Sequence, residues 1–189
     1  MASTGSFGDQ PDPSRLEAPI VLVGGGHAHV AVLADWIENG PPCTDPILLT
    51  PSPTLRYSGM VPAWIAGFYA REEGLVDLEG LAARASATLL LDRCVEMDPE
   101  QRTIRTNGGR TVAFGIGSID TGGVGRTKAL LGDDPRLLDI RPIDRFVEKI
   151  APMLAVDRSA PKEILVVGGG AGGTELAFGL RNMADVSLR

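Results

Sequence analysis

The stretch Pro19-Ile20-Val21-Leu22-Val23-Gly24-Gly25-Gly26-His27-Ala28-His29-Val30 decides the fold. Ile20 to Val23 are four apolar residues without alternation, which reads as a short strand buried on both faces. Three glycines stop it. Beyond them Val30, Leu33, Ala34 and Ile37 recur at helical spacing up to Gly40-Pro41, and Pro46 to Thr50 reads as a second strand. Strand, glycine turn, helix and strand in that order make a βαβ unit, which implies a parallel sheet.

Gly24 and Gly26 take the first two glycine places of G-x-G-x-x-G, the dinucleotide fingerprint, and His29 stands in the third. The first glycine makes the tight turn, and the second lets a pyrophosphate approach the backbone. The helix start then offers N–H groups and a positive dipole end. The third glycine normally allows close helix–strand packing, so His29 implies a wider approach or a side chain turned aside. The acidic residue expected about 20 residues on, for ribose hydroxyls, is missing: Thr50 ends that strand, and its hydroxyl or that of Ser52 could substitute.

A second run, Gly168-Gly169-Gly170-Ala171-Gly172-Gly173, matches the fingerprint in full at Gly168, Gly170 and Gly173. It follows the strand-like Ile164 to Val167 and precedes Leu176, Ala177, Leu180 and Met183 at helical spacing. Two such turns in one chain point to two dinucleotides. Between them, Pro51 to Gly67 is too apolar for a plain linker. Leu89 to Met97, Arg102 to Thr106 and Thr111 to Phe114 are strand-like runs joined by Asp98-Pro99-Glu100 and Asn107-Gly108-Gly109, which predicts antiparallel hairpins added to the parallel sheet. Gly115 to Asp120 returns as a strand. Ile143, Phe146, Val147, Ile150 and Leu154 predict a helix over 143–155, broken at Pro152. The expected organisation is a disordered leader over 1–18, a first domain over 19–154, a linker over 155–162 and the start of a second domain over 163–189.

Composition narrows the function classes. A net charge of −6 over 189 residues argues against nucleic acid, whose non-specific binding rests on a basic surface. The chain is 43% apolar and shows no Gly-X-Y period, so neither collagen nor wholesale disorder fits. No apolar run approaches the ~20 residues that span a bilayer. The leader lacks a basic and an apolar region, so a cytoplasmic location is expected. Cys43 and Cys94 form no local pair, which excludes a disulfide framework and a cysteine-based metal site; no metal ligand set is expected.

The ordered part resembles the amino-terminal half of the FAD-dependent pyridine nucleotide (disulfide) oxidoreductases, type II NADH dehydrogenase-like, in the branch associated with selenophosphate synthetase. The resemblance rests on Val23-Gly24-Gly25-Gly26-His27-Ala28-His29-Val30, on Tyr57-Ser58-Gly59-Met60-Val61-Pro62 followed by Ile65-Ala66-Gly67-Phe68-Tyr69, on Ser118-Ile119-Asp120-Thr121-Gly122, and on Val167 to Ala177 around the second glycine run. It implies a Rossmann-like FAD-binding domain with a β-hairpin insertion, followed by the start of a Rossmann-like NAD(P)-binding domain. FAD would lie on the first turn, at Gly24, Gly25, Gly26, His27 and Ala28, with Thr50 nearby. Met60 and Pro62 would lie near the isoalloxazine, Val95 near the adenine, and Thr121 and Gly122 at a crossing between domains. NAD(P)H would sit on Gly168, Gly170, Ala171, Gly172 and Gly173, with Glu175 as the catalytic candidate at the nicotinamide–flavin junction. Hydride would pass from NAD(P)H to flavin, and electrons on to a quinone-like or other acceptor. With no cysteine pair after either glycine motif, the direct branch is implied, not the disulfide relay. The family's remaining nucleotide domain, its returning FAD-closing segment and its carboxy-terminal region have no counterpart, so an incomplete chain is expected, one that a second chain or a homodimer would complete.

Plainer readings stand beside these. Glu175 reads equally as a first-turn glutamate favoured by the helix dipole. Met60 and Trp64 read as core, and His27 and His29 as solvent-facing residues at a helix start. Thr121-Gly122-Gly123-Val124-Gly125-Arg126-Thr127 resembles a degenerate P-loop with Arg126 in place of the lysine, which would make the chain an NTPase. A non-catalytic remnant that binds a nucleotide or a partner is the third reading.

Overall fold

All four side chains of Ile20–Val23 are buried, as their unbroken apolar run predicts. A computed structural model describes residues 16–155, 162–182 and 186–188. In chain order the elements are β1 (Ile20–Val23), α1 (His27–Asn39), β2 (Ile47–Thr50), β3 (Thr54–Arg56), α2 (Val61–Ile65), β4 (Leu75–Asp77), α3 (Leu78–Arg84) and β5 (Thr88–Leu91). Then follow β6 (Cys94–Asp98), β7 (Thr103–Thr106), β8 (Thr111–Ala113), β9 (Ile116–Ile119), α4 (Thr127–Leu131), α5 (Ile143–Ala155), β10 (Lys162–Ile164), α6 (Ala171–Asn182) and β11 (Val186–Leu188). They form two compact units: the chain up to Pro53 with Asp77–Thr121, and Thr54–Val76 with the chain from Gly122.

The first unit is built on a parallel sheet of order β5-β2-β1-β9. The register Val23↔Leu49 and Leu49↔Leu90 puts these side chains on one face, where Val21, Val23 and Leu49 pack with Ile104 from the antiparallel β6-β7-β8 ribbon. The opposite face carries Leu22 and, beside it in register, Ser118. The α1 helix reaches that face, since His29 hydrogen-bonds Ser118. Its buried residues are His29, Leu33 and Trp36, a face turned from the expected Val30, Leu33, Ala34 and Ile37 by the anchoring of His29. The helix ends at Gly40, whose φ of 78° closes the last turn with an N–H to Trp36 carbonyl bond of 2.9 Å.

The run Leu89 to Met97 is two strands and not one. Its first part pairs with β2 in the parallel sheet and its second opens the ribbon, because the Asp92 carboxylate turns the chain between them by accepting the N–H groups of Arg93 (2.7 Å) and Gly108 (3.1 Å). The Thr106 hydroxyl, then these amides and the charge of Arg110, hold the Asp92 carboxyl below its ordinary pKa. Asp98 makes the next turn by accepting from Glu100 and Gln101, both at 2.9 Å.

The second unit packs α2, α5 and α6 around Val61, Ile65, Phe146, Val147, Ile150, Leu176 and Leu180. The predicted face of α5 is the one buried, but the helix runs through Pro152 without a break. Proline removes one hydrogen bond, to the carbonyl of the exposed Glu148, where water can replace it. Burial of Phe146, Val147 and Ile150, at about 1.5–3 kcal/mol each, outweighs that loss. The expected strand over 164–167 is displaced. Lys162–Ile164 pairs with β11, whereas Leu165 and Val167 are 68% and 74% exposed and take no partner strand among the described residues.

Candidate functional site

In the first unit the strand order reverses at β1, which has β2 on one side and β9 on the other. Open α/β sheets bind ligands in the crevice at the carboxyl ends of strands at such a point. The glycine turn after β1 and the residues after β9 both lie there. Gly24 has a φ of 97°, which only glycine adopts freely, and its N–H bonds the Leu49 carbonyl at 2.8 Å. A Cβ on Gly24 would fall on the Asp120 carbonyl oxygen. One on Gly25 would strike the Leu78 side chain and come 3.3 Å from the Thr50 hydroxyl. One on Gly26 would fall on the Asp120 carboxylate.

That carboxylate is the residue the sequence reading passed over. Asp120 follows β9, and the register Val23↔Ile119 sets it next to Gly24. Its Oδ2 accepts the N–H of Ala28 at 2.8 Å and of His29 at 3.3 Å. The α1 helix has no capping side chain of its own at Gly26 and no acid in its first turn. Asp120 therefore caps it from across the sheet, with an anion at its positive end. The signal in the sequence was only an acidic residue directly after a strand-like run; that this strand lies beside β1 shows in the fold alone.

His29 faces inward, contrary to the solvent-facing reading. It is 1% exposed; its Nδ1 lies 2.6 Å from the Gly24 carbonyl and its Nε2 2.9 Å from the Ser118 hydroxyl. A carbonyl only accepts, so Nδ1 carries a proton and donates to Gly24, while Nε2 bonds the Ser118 hydroxyl. The third fingerprint place thus ties helix, turn and β9 together. Thr50 is buried beside this turn, its hydroxyl donating to the Ser52 carbonyl at 3.3 Å. His27 and Ala28 are exposed at the helix start, and Thr121 follows Asp120 at the crevice. Val95 stands 45% exposed on the ribbon.

The second unit holds the other glycine turn. Gly168 has a φ of 122°, and a Cβ on Gly173 would fall on the Gly168 carbonyl oxygen, so α6 starts as close to the turn as its third glycine allows. Gly169, Gly170 and Gly172 face open space. Glu175 is exposed and lies past the first turn of α6, so the dipole reading does not account for it. It lines an open cavity of about 610 Å³ with Gly59, Pro62, Ala66, Phe68 and Phe178. The structure therefore brings Pro62 and Glu175 together, through an approach of α2 to α6 so tight that a Cβ on Gly179 would strike the Pro62 carbonyl. Asn182 donates to the Ala66 carbonyl at 3.2 Å across the same contact. Met60 is half-buried against Gly74, and Trp64 packs on the apolar cluster as a core residue.

Both turns lead into a helix, and each has its first glycine at positive φ. The first already holds an anion on the amides of α1, and the second presents glycines into open space. The segment Thr121–Thr127 lacks what a P-loop needs. The helix after it has five residues, and the Asp139 carboxylate occupies both the N–H and the hydroxyl of Thr127.

No protein-family model and no curated protein matches the sequence. Solved structures do match by fold. The sulfide:quinone oxidoreductase of the hyperthermophilic bacterium Aquifex aeolicus superposes with a TM-score of 0.64 at 17% identity, over 90% of this chain and 42% of that one. The water-forming NADH oxidase of Lactobacillus brevis, bound to NADH, gives 0.69 at 16% identity, over 91% and 39%. The NADH:rubredoxin oxidoreductase of Clostridium acetobutylicum gives 0.64 at 15%, over 92% and 44%. The chain thus spans less than half the length of these structures and shares with that part of them an α/β fold on a parallel sheet.

Proposed function

We propose that this chain is the amino-terminal part of an FAD-dependent NAD(P)H oxidoreductase, with FAD on the turn after β1 and NAD(P)H on the turn before α6. The observation that carries this reading is the pair of glycine turns, each at the start of a helix, with Gly24 and Gly168 at positive φ. The amides of Ala28 and His29 would receive the FAD pyrophosphate, and Gly24, Gly25 and Gly26 would keep side chains out of its way. Thr50, at the end of the neighbouring strand, would serve the ribose in place of the missing acid. Gly169, Gly170 and Gly172 would admit the NAD(P)H pyrophosphate to the start of α6. Glu175, beside Pro62 in the 610 Å³ cavity, is the polar group available to orient the nicotinamide end. Bound on the turn after β1, FAD would supply the capacity to accept a hydride from NAD(P)H, with electrons going on to a quinone-like or other acceptor. Met60 and Val95 keep the flavin and adenine roles that the resemblance gives them.

The test is a fluorescence titration of the purified chain with FAD, with ATP and Mg²⁺ as the control. Saturable FAD binding at one site, without ATP binding, is expected. ATP binding without FAD binding would refute the proposal in favour of an NTPase.

A further inference from the structure

We propose that Asp120 is an internal competitor for the FAD pyrophosphate, so that dinucleotide binding requires its carboxylate to leave the amino terminus of α1. The inference rests on the function proposed above. In the fingerprint the second glycine clears space for an incoming phosphate anion. In this chain the second glycine is Gly26, and the group occupying that space is the Asp120 carboxylate. The same carboxylate accepts the Ala28 and His29 amides, the donors that a pyrophosphate on this turn would use. Two anions cannot share two N–H groups, because each N–H points at one acceptor and like charges this close repel.

Asp120 is placed to move. It sits at the end of β9, half-buried, and the residues beyond it carry no regular structure until α4. In the empty protein its carboxylate satisfies the helix start and so stabilises the turn. In the loaded protein the pyrophosphate replaces it on the same amides. The residue therefore affects empty stability and ligand affinity in opposite directions, which a purely structural cap does not do.

The experiment measures FAD affinity by fluorescence titration, and thermal stability by far-UV circular dichroism, for the wild-type chain, D120N, D120A, D120E and the surface control E100Q. D120N keeps the size of the side chain and an oxygen for Ala28, so it holds the turn if D120A does not. Riboflavin, which lacks the pyrophosphate, is the second probe. The expected result is FAD binding at least about tenfold tighter in D120N, with a lower Tm for the empty protein. Riboflavin affinity stays unchanged, and D120E and E100Q bind FAD no tighter than wild type. FAD binding by wild type with equal or weaker binding by D120N would overturn the competition and leave the flavoprotein reading standing. No saturable FAD binding by any form, D120N included, would overturn both.

Discussion

Replacing His29 by glycine restores the full fingerprint, and a reading of the motif alone expects the change to be harmless. The structure predicts the opposite. The Gly24 carbonyl, in a buried residue, receives the Nδ1 proton at 2.6 Å, and losing that donor costs about 1–3 kcal/mol. Removing a ring that is 1% exposed adds about 1–2 kcal/mol for lost packing and the cavity left behind. Glycine in a helix, in place of a residue with a side chain, adds up to about 1 kcal/mol more. The sum centres on about 4 kcal/mol, or a Tm lowered by roughly 8–16 °C for a chain of this size. Urea denaturation followed by circular dichroism at 222 nm would read it as a lower midpoint at an unchanged slope. Ser118→Ala, which removes only the partner of Nε2, is expected to lose about 1 kcal/mol. A glycine variant within about 1 kcal/mol of wild type would refute the argument that His29 has exchanged the packing role of the third glycine for a bonding one.

Three further outcomes follow from contacts already described. Gly173→Val places a side chain on the Gly168 carbonyl, whereas Gly172→Ala points into open space. The first is expected to abolish NAD(P)H binding in a fluorescence titration, and the second to change the affinity less than about threefold. Gly179→Val, which drives α2 away from α6, is expected to lower stability by about 2 kcal/mol or more and to expose apolar surface to the dye ANS. Asp92 has its carboxyl pKa lowered by the Thr106 hydroxyl and nearby amides. Its contribution is therefore present in full above the unfolded value near 4 and is lost as pH falls through the lower folded value. Asp92→Asn is expected to flatten the dependence of Tm on pH in that acid range and to leave its shape at pH 6–8 unchanged.

The parts of the fold legible in the sequence are those set by local pattern. Ile20 to Val23 could only be a doubly buried strand, and the ribbon from Cys94 to Ala113 follows from its turn residues. Non-local partners account for what was misread. Leu89 to Met97 looks like one strand because nothing nearby shows that β2 takes its first half and β7 its second. Pro152 reads as a break because the core that outweighs it is contributed by Val61, Ile65 and Leu176, far away in sequence. Leu165 to Val167 have the composition of a strand but no partner strand among the described residues. At the site, the glycines announce themselves because their spacing reflects one chain's own backbone. The inward turn of His29 and the placement of Asp120 depend on β9 lying beside β1, a register that spacing along the sequence cannot show.

The same pairing has a consequence for how the protein is made. β1 is synthesised before the other strands of its sheet, and it meets β2 soon afterwards. Its other neighbour comes much later, since Ile20 must wait for Ile116. Until then, a fully apolar strand at the middle of the future sheet presents an open edge to the cell. The intervening loop must be closed before its contacts reward it, so folding should be slow for the size of the unit. The exposed interval is when the nascent chain is most prone to pair with the wrong strand. Ile119, the last residue of β9, is therefore the earliest point in translation at which this hazard ends.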